Sequence, residues 1–394
     1  MLSDPHVAAA LAAKEEAFGR LEVAIGQECR RYEQALAWLA GQGVEALEER
    51  LAPYARPGAR PTPERVAGRG IILPAPARWP HHERARAWAL EVLHGVATCA
   101  VDGSQITPGP EFSIPVGAVQ VGWFENPHDA SQPYVKDIVF EVLPPEELAA
   151  MGEEAPGFPD RLVNARRFEL ECQVLADFLR RAGRGDRPAL GFFDGSLVIS
   201  FAAQLAPELQ GRYIRAVWQL LDVSEQMRVP LVGYVDTSRA RDLVHMLHLL
   251  CEPTTPPTIY DALLLRDQMA WGDRSEALIC ARDDGVFRTT ALRDYYERLI
   301  FVYLKTTANN PPARLDLPRW LLDEGRLEEV LDIVRAECIV GTGYPYAIET
   351  VDALAVITMQ DREHFYRLFQ GFLQTRLGLE LRYSRKAYSK RGRR

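Results

Sequence analysis

Residues 190–200 read LGFFDGSLVIS, an apolar run that breaks at Asp194-Gly195-Ser196. Residues 97–107, ATCAVDGSQIT, break in the same way at Asp102-Gly103-Ser104. Short apolar runs bounded by turn residues mark strands covered on both faces, as in parallel sheets. The block between the two stretches decides how these strands are arranged. Residues 115–124, PVGAVQVGWF, partly alternate, and residues 135–142, VKDIVFEV, alternate with Ile138, Phe140 and Val142 on one face. With residues 96–101 they read as an antiparallel meander. A helix follows over 160–181, then a strand over 189–193 and a helical stretch over 200–227 that Pro207 interrupts. Residues 230–235, PLVGYV, form another buried strand ending at Asp236, and Thr237-Ser238 can cap a helix over 239–250. Three strands, helix, strand, helix, strand, helix is the order of a ribonuclease H-like mixed sheet. In that sheet the first three strands are antiparallel, and the next two run parallel to the first through right-handed crossovers.

Working outward, residues 6–52 have helical spacing of apolar positions. Residues 53–63, PYARPGARPTP, read as a breaker-rich linker, and 80–93 as another helix. Downstream, strand-like runs occur at 277–280 and 299–306. Residues 317–340 read as mostly helical, as do 352–358 and 361–377. The expected organisation is an N-terminal helical extension with linker over 1–90, an α/β domain over 91–380, and a basic tail over 381–394. That tail carries seven Lys/Arg and no acid from Arg382 on, a composition suited to phosphate or to a solvated end.

Bulk numbers narrow the classes. The chain has 394 residues, 47% hydrophobic and 25% charged, enough for a large core. The net charge of −8 argues against coating nucleic acid with the whole surface but leaves local basic patches open. Six scattered cysteines without CxxC spacing point away from zinc and disulfides and toward reduced thiols in the cytoplasm. The first residues lack a signal-peptide pattern, and no apolar run approaches the roughly 20 residues that span a bilayer.

The two aspartates define the candidate site. In an open sheet, ligands bind at the carboxyl ends of parallel strands near a switch point. Neighbouring strands would bring Asp102 and Asp194 within a few ångströms, where carboxylates repel unless a proton or a cation intervenes. Oxygen ligands favour Mg²⁺ or Mn²⁺ over zinc. The glycines permit tight turns, and the serines can cap the turn or meet phosphate. A single DGS is also what a plain surface turn looks like. The helix NARRFELECQVLADFLRR carries an apolar stripe through Phe168, Cys172, Leu175 and Leu179, and Glu171 lies on it while Glu169 points elsewhere. Glu171 is thus either a site acid or an edge residue paired with Arg166 or Arg167. Tyr344 and Asp352, in GYPYAIETVDALAVI, offer a further pair, with Asp352 opening a helical stretch. Asp236 ranks below these because Thr237-Ser238 suggests a capping turn. His245 and His248 lack partners for a metal and read as packing or surface residues.

The segments VDGSQ, RRFELE, FFDGSLV, LVGYVDTSR and GYPYAIETVDALAVI, in this order from about residue 96 to about residue 365, resemble the NurA nuclease family. The resemblance implies a ribonuclease H-like fold, a homodimer, and Mn²⁺-dependent DNA cleavage with Mg²⁺ as the alternative ion. The implied activities are 5′–3′ exonuclease and single-strand endonuclease. The implied partner is a HerA-type hexameric ATPase, with which double-strand break ends are resected. By motif, Asp102 and Asp194 correspond to the strand aspartates, Glu171 to the helix glutamate, Tyr344 to a tyrosine, and Asp352 to a late metal-site position where some relatives carry histidine. On this reading Asp102, Glu171, Asp194 and Asp352 hold metal and Tyr344 orients the scissile phosphate. Ser104, Lys305 and Arg314 then contact DNA, although the two basic residues also read as ordinary surface charges. Two rival classes are an actin-like or sugar-kinase-like ATP-binding protein, which DGSQITPGPEF fits poorly, and a non-catalytic adaptor of the translocase.

Overall fold

The computed structural model describes residues 2–109, 112–150, 159–251, 256–282 and 295–380, so the expected basic tail lies outside the described residues. They gather into two compact units, one of residues 79–109, 112–150, 159–234 and 320–380, the other of 2–78, 235–251, 256–282 and 295–319.

The first unit contains both DGS tripeptides. Its strands are β1 (Ala97–Ile106), β2 (Gly117–Asn126), β3 (Val135–Leu143), β4 (Ala189–Asp194) and β5 (Leu231–Val235). They lie in the order β3-β2-β1-β4-β5. β1–β2 and β2–β3 are antiparallel, whereas β1–β4 and β4–β5 are parallel. This is the ribonuclease H-like arrangement. Helix α1 (Pro159–Ala182) connects β3 to β4, and α2 (Pro207–Met227) connects β4 to β5. The stripe Phe168, Cys172, Leu175 and Leu179 of α1 is buried, each large side chain contributing about 2 kcal/mol. Gly191 in β4 admits the helix. A Cβ there would come within 3.0 Å of Leu179 and 3.2 Å of Leu175.

β1 departs from expectation in its length. It does not end at Asp102 but continues to Ile106, with Asp102 opposite Gly122 and Ile106 opposite Ala118 of β2. The polar residues of this half keep their backbone hydrogen bonds on the β2 side, so no turn is needed. Only the parallel edge stops, at Val101 opposite Phe193.

Helices α3 (Leu327–Val340) and α4 (Tyr346–Ala355) complete the site's support. Glu337 of α3 is fully buried and accepts hydrogen bonds from Thr98 Oγ1 of β1 at 2.8 Å and the Ala347 N–H of α4 at 2.9 Å. One carboxylate thus ties the first turn of α4 to β1. Asp352 does not open a helix; Pro345 stands at the N-cap position, and Asp352 lies near the α4 C-terminus.

In the second unit, residues 53–63 do more than link. Gly58–Pro61 is a strand antiparallel to Leu278–Ala281, followed in the sheet by Leu299–Leu304 and Ala313–Pro318. The last strand falls in a region whose end was expected to be helical. The helix after β5 begins at Asp242 rather than residue 239, and its cap is distant. Asp261 accepts from the N–H groups of Leu243 at 3.1 Å and Val244 at 2.9 Å, and from the Tyr303 hydroxyl at 2.8 Å.

A buried ion network lies beside this cap. The Arg314 Nε donates to Asp316 at 2.7 Å and its Nη1 to Asp242 at 2.5 Å, while Arg282 also grips Asp242. The Arg314 guanidinium lies 4.0 Å from the Phe301 ring centroid. Burial alone would raise Asp242, but the Arg314 and Arg282 guanidiniums hold it below the usual range. Asp261 is pushed up to about 6 by burial and by the charge on Asp242.

Removing Arg314 leaves buried carboxylates short of counter-charge, so Arg314→Met is expected to lower the unfolding free energy by about 3 kcal/mol in urea titrations. Because the folded pKa of Asp261 exceeds its unfolded value, the stability it contributes is complete below about pH 4 and is lost as pH rises through about 6. The stability of Asp261→Asn relative to the parent should therefore rise over that window. A pH-independent difference would refute the assignment.

Candidate active site

The register of the parallel pair fixes the centre of the site. Val101 lies opposite Phe193 at the end of the parallel ladder, so Asp102 and Asp194 each come next on adjacent strands, whose backbones run about 4.8 Å apart where they pair. Asp102, Asp194 and Glu171 line one cavity of about 510 Å³. Gly103 makes room for the third acid. A Cβ at Gly103 would sit 2.5 Å from Glu171 Oε1 and 2.9 Å from Arg167 Cγ. Gly195 meets a different demand, with φ at +130° where the chain leaves β4. Gly233 of β5 lets that turn pass, since a Cβ there would lie 2.8 Å from the Gly195 carbonyl oxygen. Ser196 closes the turn by accepting the Val198 N–H at 3.0 Å.

Glu171 lines the cavity, and Arg167 Nη1 donates to its Oε1 at 2.9 Å. The same Nη1 donates to the Gly103 carbonyl at 2.9 Å. Glu169 is engaged elsewhere, by Arg212 at 2.5 Å and Arg166 at 3.5 Å.

Burial raises the proton affinity of all three cavity carboxyls. Burial pushes Glu171 up to about 8, with Asp102 and Asp194 adding to the shift and Arg167 opposing it. Burial also pushes Asp102 up to about 6, with help from the charges on Asp194 and Asp352. Asp194 is accessible to solvent, yet surrounding protein still raises it. The Tyr344 hydroxyl donates to Asp194 Oδ1 at 3.0 Å and pulls the other way. Asp352 is exposed on α4 and reaches the group through its charge rather than by lining the cavity.

Among the described residues, no group of three or more His, Cys, Asp and Glu side chains is arranged to hold a metal ion as the protein stands. The chemistry of the donors nevertheless fits a small divalent cation. They are all oxygens, Gly103 leaves space where Glu171 meets β1, and the clustered acids carry more negative charge than Arg167 offsets.

The three expected DNA contacts are not among the residues that line the cavity. Ser104 lies opposite Gln120 in β1, outside the cavity lining. Lys305 is 2% exposed and its Nζ donates to the Arg266 carbonyl at 2.7 Å. Arg314, also 2% exposed, is spent on Asp242 and Asp316. The two basic side chains are buried in the fold rather than presented to a phosphate backbone. Among the cavity residues that the sequence reading does not single out are Arg161, Asn164 and the aromatic Phe201 and Tyr213. Arg161, Asn164 and Arg167 recur at every third position of α1, a helical-face signal visible in the sequence.

The Tyr344 contact depends on a tight loop. Thr342 has φ of 58° and Gly343 of 112°, and a Cβ at Gly341 would collide with the Tyr344 carbonyl oxygen. Gly341→Ala is expected to move the Tyr344 hydroxyl out of hydrogen-bond range of Asp194. It should cost about 1–3 kcal/mol of stability. A crystal structure of the variant with the 3.0 Å contact intact would contradict this.

A family model described as the NurA domain matches residues 96–357. No curated protein matches the chain. Among solved structures, the chain is similar to endonuclease V from Bacillus subtilis at 13% identity and a TM-score of 0.32, covering 69% of this chain and 82% of that one. A NurA crystal structure aligns at 11% identity and a TM-score of 0.39, covering 72% of this chain and 90% of that one. The catalytic domain of human endonuclease V aligns at 12% identity and a TM-score of 0.32, covering 76% of this chain and 92% of that one.

Proposed function

The chain belongs to the NurA family of nucleases, and on that premise we propose that it hydrolyses DNA phosphodiesters with a divalent ion, Mn²⁺ or Mg²⁺, at the Asp102–Asp194–Glu171 cavity. The observation that carries this reading is the side-by-side register of Asp102 and Asp194, with a buried Glu171 beside them. Such a group is costly until positive charge enters it.

Asp102 and Asp194 would ligate the ion, with Glu171 as a third oxygen donor and Asp352 as an outer one. When bound, the ion supplies Lewis-acid stabilisation of the phosphoryl oxygens and a more acidic water. The chain's own groups then position the reaction. Tyr344 fixes the Asp194 carboxylate through its hydroxyl. Arg167 fixes Glu171 and brings a positive charge to the cavity where the phosphate would lie. The aromatic residues Phe168, Phe193, Phe201 and Tyr213 wall one side of the cavity, which strengthens electrostatic interactions there by excluding water.

The wider reading is that of a 5′–3′ exonuclease and single-strand endonuclease. The protein would act as a homodimer with a HerA-type hexameric ATPase in the resection of double-strand breaks. None of the six cysteines forms a disulfide, in keeping with a cytoplasmic setting. Among the described residues no helix is long and apolar enough to cross a membrane.

The test is digestion of end-labelled single- and double-stranded DNA with Mn²⁺, Mg²⁺ or chelator, with and without the translocase. Cleavage is expected with Mn²⁺ and not with chelator. Asp102→Ala should reduce cleavage on the order of a hundredfold or more, while DNA binding is largely retained. An Asp102→Ala protein that cuts normally would overturn the site, and ATP hydrolysis without DNA cleavage would overturn the activity.

A further inference from the structure

The cavity holds more than acids. Phe201 lies on the short Ser200–Gln204 turn that follows the second DGS. It lines the same cavity as Asp102, Asp194 and Glu171 and is 52% exposed. It is the open end of a cluster of four rings. Phe201 meets Tyr213 edge to face at 5.0 Å between centroids. Tyr213 lies 4.8 Å from Phe168, and Phe168 lies 5.6 Å from Phe193, the residue before Asp194. Exposing so much of a large ring beside a charged centre has an apolar cost, unless something flat covers it.

On α1, Asn164 and Arg167 line the same cavity, and one polar atom of each, Asn164 Oδ1 and Arg167 Nε, is enclosed by protein and makes no hydrogen bond among the described residues. Such groups cost about 1–3 kcal/mol when left unsatisfied, so a ligand that draws them toward the cavity would relieve that cost. An aromatic platform with an amide and a guanidinium side chain around a cavity of about 510 Å³ describes a receptor for a planar ring with a polar edge.

Resting on the nuclease reading above, we infer that this cavity receives one unpaired nucleobase, stacked on Phe201 and held at its edge by Asn164 and Arg167, next to the phosphate to be cut. A base inside a duplex cannot present its face to Phe201, so the site demands a nucleotide that has left its stack. Stacking is indifferent to base identity, so the contact selects single-stranded DNA without selecting sequence. Phe201 is on this account a specificity residue for strand state, and Asn164 a positioning residue for the base.

Two measurements on the full-length protein test this. In the first, 2-aminopurine is walked through a single-stranded oligonucleotide bound with chelator present, so no cutting intervenes. One position should lose fluorescence on binding, and Phe201→Ala should abolish the loss there while Phe201→Trp keeps it. In the second, an abasic residue is walked through the substrate with Mn²⁺. At one position it should slow cleavage by the parent protein roughly five- to 150-fold. Phe201→Ala should be slowed by a similar factor on intact DNA and become insensitive to the abasic residue. A parent protein that cuts DNA with no sensitive position, or a Phe201→Ala protein that keeps the full abasic penalty, overturns the inference and leaves the nuclease reading standing. Quenching at one position by a protein that never cuts overturns the nuclease reading and supports the base pocket.

Discussion

The parallel register between β1 and β4 is the constraint on which the site depends. Because Val101 is opposite Phe193, the two aspartates follow side by side on adjacent strands, and the charge on Asp194 raises the proton affinity of Asp102. The fold tolerates this because its neighbours are stiff. β2 pairs with β1 beyond Asp102, α1 is seated on Gly191, and Arg167 offsets part of the charge on all three acids. The site is therefore bought with core stability elsewhere, as expected where local rules are broken for function.

Much of this was legible in the sequence, and the exceptions share a cause. ALGFF and PLVGYV announced buried strands because nothing polar interrupts them, and the stripe on α1 placed Glu171 correctly among apolar neighbours. The strand Ala313–Pro318 was missed because Arg314 and Asp316 look like surface charges. Their polarity is neutralised inside the fold by Asp242 and by each other, a contact no local pattern reveals. The same blindness placed Arg314 and Lys305 on DNA. Gly58–Pro61 was hidden by prolines, which are admissible in a strand that pairs little beyond one neighbour. The extension of β1 to Ile106 was also invisible, since the satisfaction of its polar half comes from β2.

Tyr344 and Asp352 lie far along the chain from β1, and what brings them back is one buried acid. Glu337 joins Thr98 on β1 to the N-terminal turn of α4, with His128 Nε2 at 3.4 Å completing its surroundings. Burial raises its pKa, and His128 and the hydrogen bonds oppose the shift. The late segment is thus registered on the sheet by a polar joint, where an apolar contact would have allowed sliding.

The two DGS tripeptides turn out to be unlike. Gly103 is small because a neighbouring helix leans on it, whereas Gly195 is achiral because the chain twists through a region closed to other residues. The two glycines therefore meet different structural demands. Over evolutionary time the first glycine is coupled to the length of the acid at position 171 and the second only to its own backbone, so the two should drift independently.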